Sequence, residues 1–141
     1  MAKVLIVDDE ASLAEVLGLF LRDCGHRVRT ALTAKRALRA SGVFRPDLLI
    51  VDYCLHDDID GAELARRMRA SNPGLHVILI TGMLIDEVRD AVADIPRLRL
   101  LGKPLELGDI EVLVNELASA APLRRRRQSN GGVARSSGAR R

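Results

Sequence analysis

Short apolar runs alternate with helical stripes along the first 120 residues of the chain. Four runs of four residues each are dominated by Leu, Ile and Val, which is too short for helices and typical of buried parallel strands: residues 4–7, 48–51, 77–80 and 98–101. A fifth strand is predicted from Arg27 to Ala31, where the weaker alternation is typical of a sheet edge. The pattern therefore predicts five strands.

Between the strands, apolar residues recur at i, i+3 and i+4, which indicates helices with one buried face. The predicted helices cover residues 12–23, 34–41, 61–71, 85–95 and 107–121. Ser12, with Glu15 three residues later, is the expected N-cap of the first helix, Gly25 is its stop, and Thr33 is the expected cap of the second. Five alternations of strand and helix predict an α/β fold, a doubly wound five-stranded parallel sheet with right-handed crossovers.

Length and composition favour one domain followed by a tail. The chain has 141 residues, of which 48% are hydrophobic, enough for one compact core. Seven arginines and no acids follow Pro122, so the formal charge of +3 divides into −4 for residues 1–122 and +7 beyond them. We expect a folded domain over residues 1–121 and a disordered Arg-rich tail over 122–141, which is too polar to bury a core.

Composition also narrows the location and the class of function. No stretch approaches the ~20 apolar residues of a membrane span and no signal peptide is present, so we expect a cytoplasmic protein. Cys24 and Cys54 lack the spacing of a metal site and are expected to be free thiols. Aromatic residues make up 2% of the chain, which disfavours stacking on single-stranded nucleic acid.

Polar residues follow four of the predicted strands. Asp8 and Asp9 come after the first strand, and Asp52 comes after the third. Thr81 follows the fourth strand and Lys103 the fifth. Because the carboxyl ends of parallel strands share one edge of the sheet, where open α/β sheets bind ligands, we expect these side chains to meet. Three carboxylates, a hydroxyl and an ammonium predict a site for a divalent cation and a phosphoryl group.

Each residue type suits a role at such a site. Asp52 is the predicted nucleophile, since a carboxylate can form an acyl phosphate. Asp9 and Asp52 are the predicted direct ligands of Mg²⁺, with Asp8 binding it directly or through water. Thr81 and Lys103 are predicted to bind phosphoryl oxygens. Singly, these residues also fit helix starts, strand ends or a surface lysine, but their joint placement favours the functional interpretation.

At these motifs the sequence resembles the receiver domains of two-component response regulators. The resemblance covers roughly residues 2–121. It is carried by Val-Leu-Ile-Val-Asp8-Asp9-Glu, Leu-Leu-Ile-Val-Asp52, Ile-Leu-Ile-Thr81-Gly and Gly-Lys103-Pro104. The family implies a flavodoxin-like fold and a partner, a sensor histidine kinase or phosphotransfer protein, whose phosphohistidine donates its phosphoryl group to Asp52.

The resemblance also implies the details of the site. Mg²⁺ would be bound by Asp9, Asp52 and the backbone carbonyl of Cys54, with Asp8 alongside. The peptide bond between Lys103 and Pro104 would be cis, as is typical of the family.

The sequence departs from the family at three places. Leu100 stands where receivers usually carry an aromatic residue, so we expect output through the loop after the fourth strand or through another face. The segment 55–61 lacks the usual proline and is one residue longer, and His56 within it is expected to be a solvent-facing loop residue rather than a catalytic base. Cys54 and Met83, at positions that tune hydrolysis of the acyl phosphate, do not readily orient a water, which predicts a long-lived phosphoryl group.

Three functions remain open at this point. The leading hypothesis is a stand-alone response regulator, not an enzyme beyond its own phosphorylation and dephosphorylation, that switches partner binding or relays phosphate. The second is an aspartyl-phosphate phosphatase or transferase, although haloacid dehalogenase enzymes need an aspartate where Cys54 stands. The third is an adaptor attached to nucleic acid or membrane through residues 124–127. The cognate kinase, the target and the oligomeric state are left open.

Overall fold

The computed structural model of the protein describes residues 1–120, so the predicted tail at 122–141 lies outside the described residues. Strands and helices alternate strictly in the described part. They are β1 (Lys3–Val7), α1 (Ala11–Asp23), β2 (Arg27–Ala31), α2 (Ala34–Phe44), β3 (Leu48–Asp52), α3 (Gly61–Ser71), β4 (His76–Thr81), α4 (Ile85–Ala91), β5 (Leu98–Gly102) and α5 (Leu107–Ser119). Within residues 1–120, no helix has the length and apolar character needed to cross a bilayer.

All five strands are parallel and form one sheet in the order β2-β1-β3-β4-β5. The predicted α/β fold with a doubly wound parallel sheet is confirmed, and so is the edge position of β2. Every residue of the central strand β3 is buried. Helices cover both faces of the sheet there, which explains why β3 reads as a continuous apolar run rather than an alternating one.

The sheet separates two hydrophobic layers. Leu5 and Val7 of β1 pack with α2, α3 and α4, whereas Val4 and Ile6 pack with α1 and α5. Successive side chains of a strand point to opposite faces, so one apolar run contributes to both layers. Full burial of one Leu or Ile side chain stabilises the fold by about 1.5–3 kcal/mol. This packing holds the strand ends in fixed relative positions.

The predicted Ser12 cap of α1 is wrong. The helix begins at Ala11, with Glu10 as N-cap and no side-chain cap hydrogen bond. Instead, the Asp8 carboxylate accepts a hydrogen bond from the Glu10 N–H at 2.9 Å, so the residue that follows β1 directs the chain into the helix. The predicted stop at Gly25 is confirmed, because this residue has a φ of +96° directly after the C-cap.

α2 begins as predicted and ends later than predicted. The Thr33 hydroxyl accepts a hydrogen bond from the Arg36 N–H at 3.1 Å, which confirms the cap. The helix then continues past Ser41 to Phe44, whose ring is buried. The additional turn brings this aromatic ring under the sheet edge, a tertiary contact that helical periodicity alone does not indicate.

α4 ends earlier than predicted, at Ala91 instead of Ile95. Arg66 of α3 donates to the Ala91 carbonyl at 2.8 Å and pairs with Asp94 at 2.7 Å. The last carbonyls of a helix lack partners within it, and the guanidinium satisfies this one. Tight turns carry the chain from there to Ile95.

Gly61, the first residue of α3, lies against the end of the central strand. A Cβ at this position would overlap the carbonyl group of Asp52. The Gly61 N–H also donates to the Tyr53 carbonyl at 2.8 Å, which holds the two segments together. Only a residue without a side chain lets α3 start this close to β3.

We expect Gly61→Ala to lower the free energy of unfolding by about 1–3 kcal/mol, the usual cost of forcing extra atoms into a packed site. Urea denaturation measures this. The matched control is Gly42→Ala in α2, where a Cβ would meet nothing within 4 Å. There the better helix propensity of Ala should raise the stability by about 0.5–1 kcal/mol. Equal stabilities of the two variants would contradict the packing argument.

Candidate functional site

The sheet order brings four of the predicted residues to one edge. Asp8 follows β1, Asp52 ends β3, Thr81 ends β4 and Lys103 follows β5. Because β3 lies between β1 and β4, the carboxyl ends of these strands are neighbours. Asp8, Asp52 and Thr81 are buried, and the partly exposed Lys103 side chain contacts Asp52. Parallel strands thus gather polar side chains that are far apart in the sequence.

An ion pair joins Asp52 to Lys103, with 2.6 Å between Oδ2 and Nζ. The other carboxylate oxygen, Oδ1, accepts a hydrogen bond from the Cys54 N–H at 3.0 Å. Burial alone would lower the pKa of Lys103, but the hydrogen bond to Asp52 and the charges of Asp52, Asp8 and Glu10 raise it above its usual value. The ammonium therefore stays charged at neutral pH and offsets the negative charge of the buried carboxylate.

Asp8 contributes a second buried carboxylate beside Asp52. Burial raises the pKa of Asp8 above its usual value, and repulsion from Asp52 and Asp9 adds to the rise. The hydrogen bond from the Glu10 N–H and the charge of Lys103 act in the opposite direction. The net rise means that the ionised carboxylates are incompletely compensated, and a bound cation would relieve this repulsion.

Thr81 is linked to both neighbouring segments. Its Oγ1 accepts a hydrogen bond from the Met83 N–H at 2.9 Å, and its carbonyl accepts one from the Lys103 N–H at 2.8 Å. The hydroxyl proton is the group with which Thr81 can donate to a phosphoryl oxygen. The peptide bond between Lys103 and Pro104 is cis, as the family resemblance implied.

Asp9 contacts His56, a residue that no sequence motif connects with it. Its Oδ2 lies 2.6 Å from Nδ1 of His56. The His56 side chain is 81% exposed, as expected for a solvent-facing loop residue, but its backbone has a φ of +50°, a region that non-glycine residues adopt rarely. The two residues are 47 positions apart, and the unusual composition of the loop after β3 was the only sequence signal for this contact.

The carboxylates at this edge suit a divalent cation by their chemistry. Asp8 and Asp52 offer buried oxygen donors, which Mg²⁺ prefers, and Asp9 lies close enough to raise the pKa of Asp8. Within residues 1–120, no three His, Cys, Asp or Glu side chains already form a ligand cluster. In the predicted Mg²⁺ site, the cation would compete with His56 for the Asp9 carboxylate, since one of its oxygens already contacts the imidazole. The role of the Cys54 carbonyl as a ligand stays a prediction.

Comparison with known proteins connects this geometry to a family. The model of the response regulator receiver domain matches residues 4–115, which include every residue of the site. The crystal structure of the receiver domain of NtrX from Brucella abortus is similar with a TM-score of 0.76 at 27% identity, covering 83% of this chain and 99% of that chain. A receiver domain protein from Clostridium thermocellum has a TM-score of 0.76 at 24% identity over 83% of this chain and 94% of that chain, a likeness of fold.

Curated relatives share sequence with the same region. TcrX of Mycobacterium tuberculosis is 39% identical over 90 residues, which are 64% of this chain and 37% of that protein. The nitrogen assimilation regulatory protein NtrX of Azorhizobium caulinodans is 31% identical over 125 residues, 86% of this chain and 27% of that protein. The chain thus spans about a third of the length of the curated relatives it matches.

We expect His56→Gly to bind Mg²⁺ more tightly than the wild type, because the cation no longer competes with the imidazole for the Asp9 carboxylate. Gly adopts positive φ readily and has no side-chain donor, so the loop backbone is preserved while the hydrogen bond is lost. A net hydrogen-bond contribution of about 1 kcal/mol corresponds to roughly fivefold in affinity. A Mg²⁺ titration followed by the emission of Tyr53, the single tyrosine of the chain and the residue after Asp52, measures this.

The control uses Asp9→Asn, which should weaken Mg²⁺ binding by itself. In that background, His56→Gly should have no further effect, since the Asp9 carboxylate that His56 would hold is already absent. If His56→Gly leaves the affinity of the protein with wild-type Asp9 unchanged, the hydrogen bond does not compete with the cation.

Proposed function

We propose that this chain, which belongs to the response regulator receiver domain family, accepts a phosphoryl group onto Asp52 from a phosphohistidine. The donor is a sensor histidine kinase or a phosphotransfer protein, and the reaction uses Mg²⁺ held by Asp8, Asp9, Asp52 and the Cys54 carbonyl. Phosphorylation then changes the affinity for a downstream protein, or the phosphoryl group is passed on. The 2.6 Å contact between Asp52 and Lys103 carries the proposal, since it sets a cation beside the accepting carboxylate.

The chemical step exchanges one bond of phosphorus for another. A carboxylate oxygen of Asp52 bonds to phosphorus while the phosphorus–nitrogen bond of the donor breaks, and its electron pair returns to the imidazole. The carboxylate loses its charge, and the phosphoryl oxygens bring negative charge to the same place. The Lys103 ammonium then forms its ion pair with these oxygens instead of with the carboxylate. Bound Mg²⁺ supplies further neutralisation of the phosphoryl charge.

Output is proposed to run through the loop after β4. The Thr81 hydroxyl oxygen accepts a hydrogen bond from the Met83 N–H at the start of this loop. If the Thr81 side chain turns toward a phosphoryl group, this hydrogen bond to the loop changes. Met83 and Leu84 expose hydrophobic side chains there. Leu100, which stands in place of the family's aromatic residue, packs partly buried against the layer of α2, α3 and α4. A change in the exposure of Met83 and Leu84 would therefore serve as the signal.

Phosphorylation is tested by incubating the protein with acetyl phosphate and Mg²⁺ and weighing the intact protein by mass spectrometry. We expect the wild type to gain one phosphoryl group and Asp52→Asn to gain none, because an amide is a poor nucleophile. The matched control is Asp47→Asn, at the opposite end of β3, whose carboxylate accepts a hydrogen bond from the Lys3 N–H at 2.9 Å. This variant should be labelled like the wild type.

Labelling of Asp52→Asn would refute the assignment of the acceptor. Continuous hydrolysis of p-nitrophenyl phosphate by the wild type, abolished in Asp52→Asn, would instead favour a phosphatase. The idea that the receiver acts alone stays a prediction.

α1 offers a contact surface for the phosphohistidine protein. It begins three residues after Asp8 and carries two exposed hydrophobic side chains, Val16 at 53% and Leu19 at 59% exposure. Residues at i and i+3 share a helix face, and exposed apolar patches mark sites of protein contact. We therefore propose that the donor protein contacts this face of α1 while its histidine reaches Asp52.

We expect Leu19→Glu to slow phosphotransfer from a phosphorylated partner by about tenfold, the effect of removing an apolar anchor worth over 1 kcal/mol. Labelling by acetyl phosphate should stay unchanged, because the site is intact. Transfer of radiolabel at short times measures the rate. The matched control, Val43→Glu, changes a 77% exposed residue of α2 and should leave both rates unchanged. If Leu19→Glu slows phosphorylation by acetyl phosphate as much as phosphorylation by the partner protein, the substitution has damaged the site and not the docking of the partner.

A further inference from the structure

Seven exposed or partly exposed cations lie on β2, on α2 and directly after it, and at the start of β1. They are Lys3, Arg27, Arg29, Lys35, Arg36, Arg39 and Arg45, here called the basic surface. Residues 27–46 contain six of them and no Asp or Glu, whereas the rest of residues 1–122 holds nine Lys or Arg and nineteen Asp or Glu. Positive charge is thus concentrated in residues 27–46 of a domain that is acidic overall.

Phe44 organises the centre of the basic surface. The centroid of its buried ring lies 5.3 Å from the Arg29 guanidinium carbon, 5.7 Å from the Lys3 ammonium and 5.9 Å from the Arg27 guanidinium carbon. Lys3 and Arg27 are register partners on neighbouring strands, and Arg29 is two residues further along the same face. Cation–π attraction holds three mutually repelling charges around one ring, so an anion would meet a cluster that is already assembled.

These cations form no ion pair with a carboxylate, whereas most of the other Lys and Arg residues within 1–120 do. Among residues 1–120, no ion pair involves a member of the basic surface. Four arginines elsewhere do pair with Asp or Glu: Arg66, Arg67, Arg89 and Arg99. At the margin, the carboxylates of Asp47 and Asp57 accept hydrogen bonds from the backbone N–H groups of Lys3 and Ala34. The positive charge is therefore left for an external partner.

The cations extend along the whole of α2. Lys35, Arg36 and Arg39 lie within about one turn of each other, and Arg45 follows the last helical residue. At 1.5 Å per residue, the distance from Lys35 to Arg45 is about 15 Å. Duplex DNA carries one charge per about 1.7 Å of its axis, so a surface of this length faces several phosphates at once.

The basic surface lacks the apolar centre of a protein interface. Val43 is the only large hydrophobic side chain exposed in residues 27–46, and the Phe44 ring is buried. Protein interfaces have aromatic and apolar residues at their centre, whereas contacts to a phosphate backbone need only cations. The same scarcity of exposed rings disfavours stacking on unpaired bases.

We propose that the basic surface binds the phosphate backbone of duplex nucleic acid without reading its base sequence. This binding is separate from phosphoryl acceptance at Asp52 and does not require it. Its affinity falls steeply with salt concentration, because each phosphate contact releases condensed counterions.

The test uses the full chain and a fluorescein-labelled DNA duplex of mixed sequence, with binding followed by anisotropy over a series of salt concentrations. The surface variant combines Arg29→Gln, Arg36→Gln and Arg39→Gln. The matched control combines Arg67→Gln, Arg89→Gln and Arg99→Gln, which removes the same charge from exposed arginines that pair with carboxylates elsewhere. A third variant replaces Arg124, Arg125, Arg126 and Arg127 by Gln. Circular dichroism checks that each variant is folded.

We expect the surface variant to bind about tenfold or more weakly at low salt, and its slope of log affinity against log salt to decrease by about 0.9 for each phosphate that is no longer neutralised. The matched control should keep the wild-type slope. If the triple variant does not fold, Arg36→Gln and Arg39→Gln, both exposed on α2, should each lower the slope by about one.

Three results would overturn the proposal. The first is equal loss of binding in the surface variant and the matched control, which would show dependence on net charge alone. The second is loss of binding only in the variant of residues 124–127, which would assign binding to the tail. The third is tighter binding to poly-glutamate than to the duplex at the same salt concentration, which would assign the surface to an acidic protein.

Discussion

The ion pair between Asp52 and Lys103 is the interaction on which the site depends. Asp52 ends the central strand and is buried, and a buried carboxylate without a partner would cost several kcal/mol. Two groups act as partners of this carboxylate: Lys103 Nζ lies 2.6 Å from Oδ2, and the Cys54 N–H donates to Oδ1 at 3.0 Å. The ammonium can reach the carboxylate because β4 alone separates β3 from β5, and the two apolar layers hold these strands in register.

The loop between β3 and α3 connects this pair to the rest of the domain. His56 holds Asp9 from one part of the loop, and Asp57 accepts a hydrogen bond from the Ala34 N–H at the start of α2 at 2.8 Å. That hydrogen bond holds the pKa of Asp57 below its usual value. This acidic loop therefore contacts both a carboxylate at the strand ends and the start of α2. The domain has one surface suited to a cation and a phosphoryl group, and another suited to phosphate anions.

The sequence predicted which strands and helices form better than it predicted where the helices begin and end. All ten elements were predicted, because strand length and helical periodicity depend on neighbouring residues. Helix ends were predicted less well, because contacts from elsewhere decide them: Asp8 directs the start of α1, and Arg66 of α3 satisfies the end of α4. The need for glycine at position 61 was likewise hidden, because it arises from the approach of α3 to the Asp52 carbonyl.

The sequence by itself determined the sheet class and the meeting of Asp8, Asp52, Thr81 and Lys103 at one edge. Each of these residues lies at the end of an apolar run, and the ends of parallel strands coincide in space. Only the tertiary structure decided that Asp9 lies against His56 and that cations from two strands surround the ring of Phe44. These contacts depend on the path of a loop and on the packing of a helix against the sheet, which no pattern of neighbouring residues encodes.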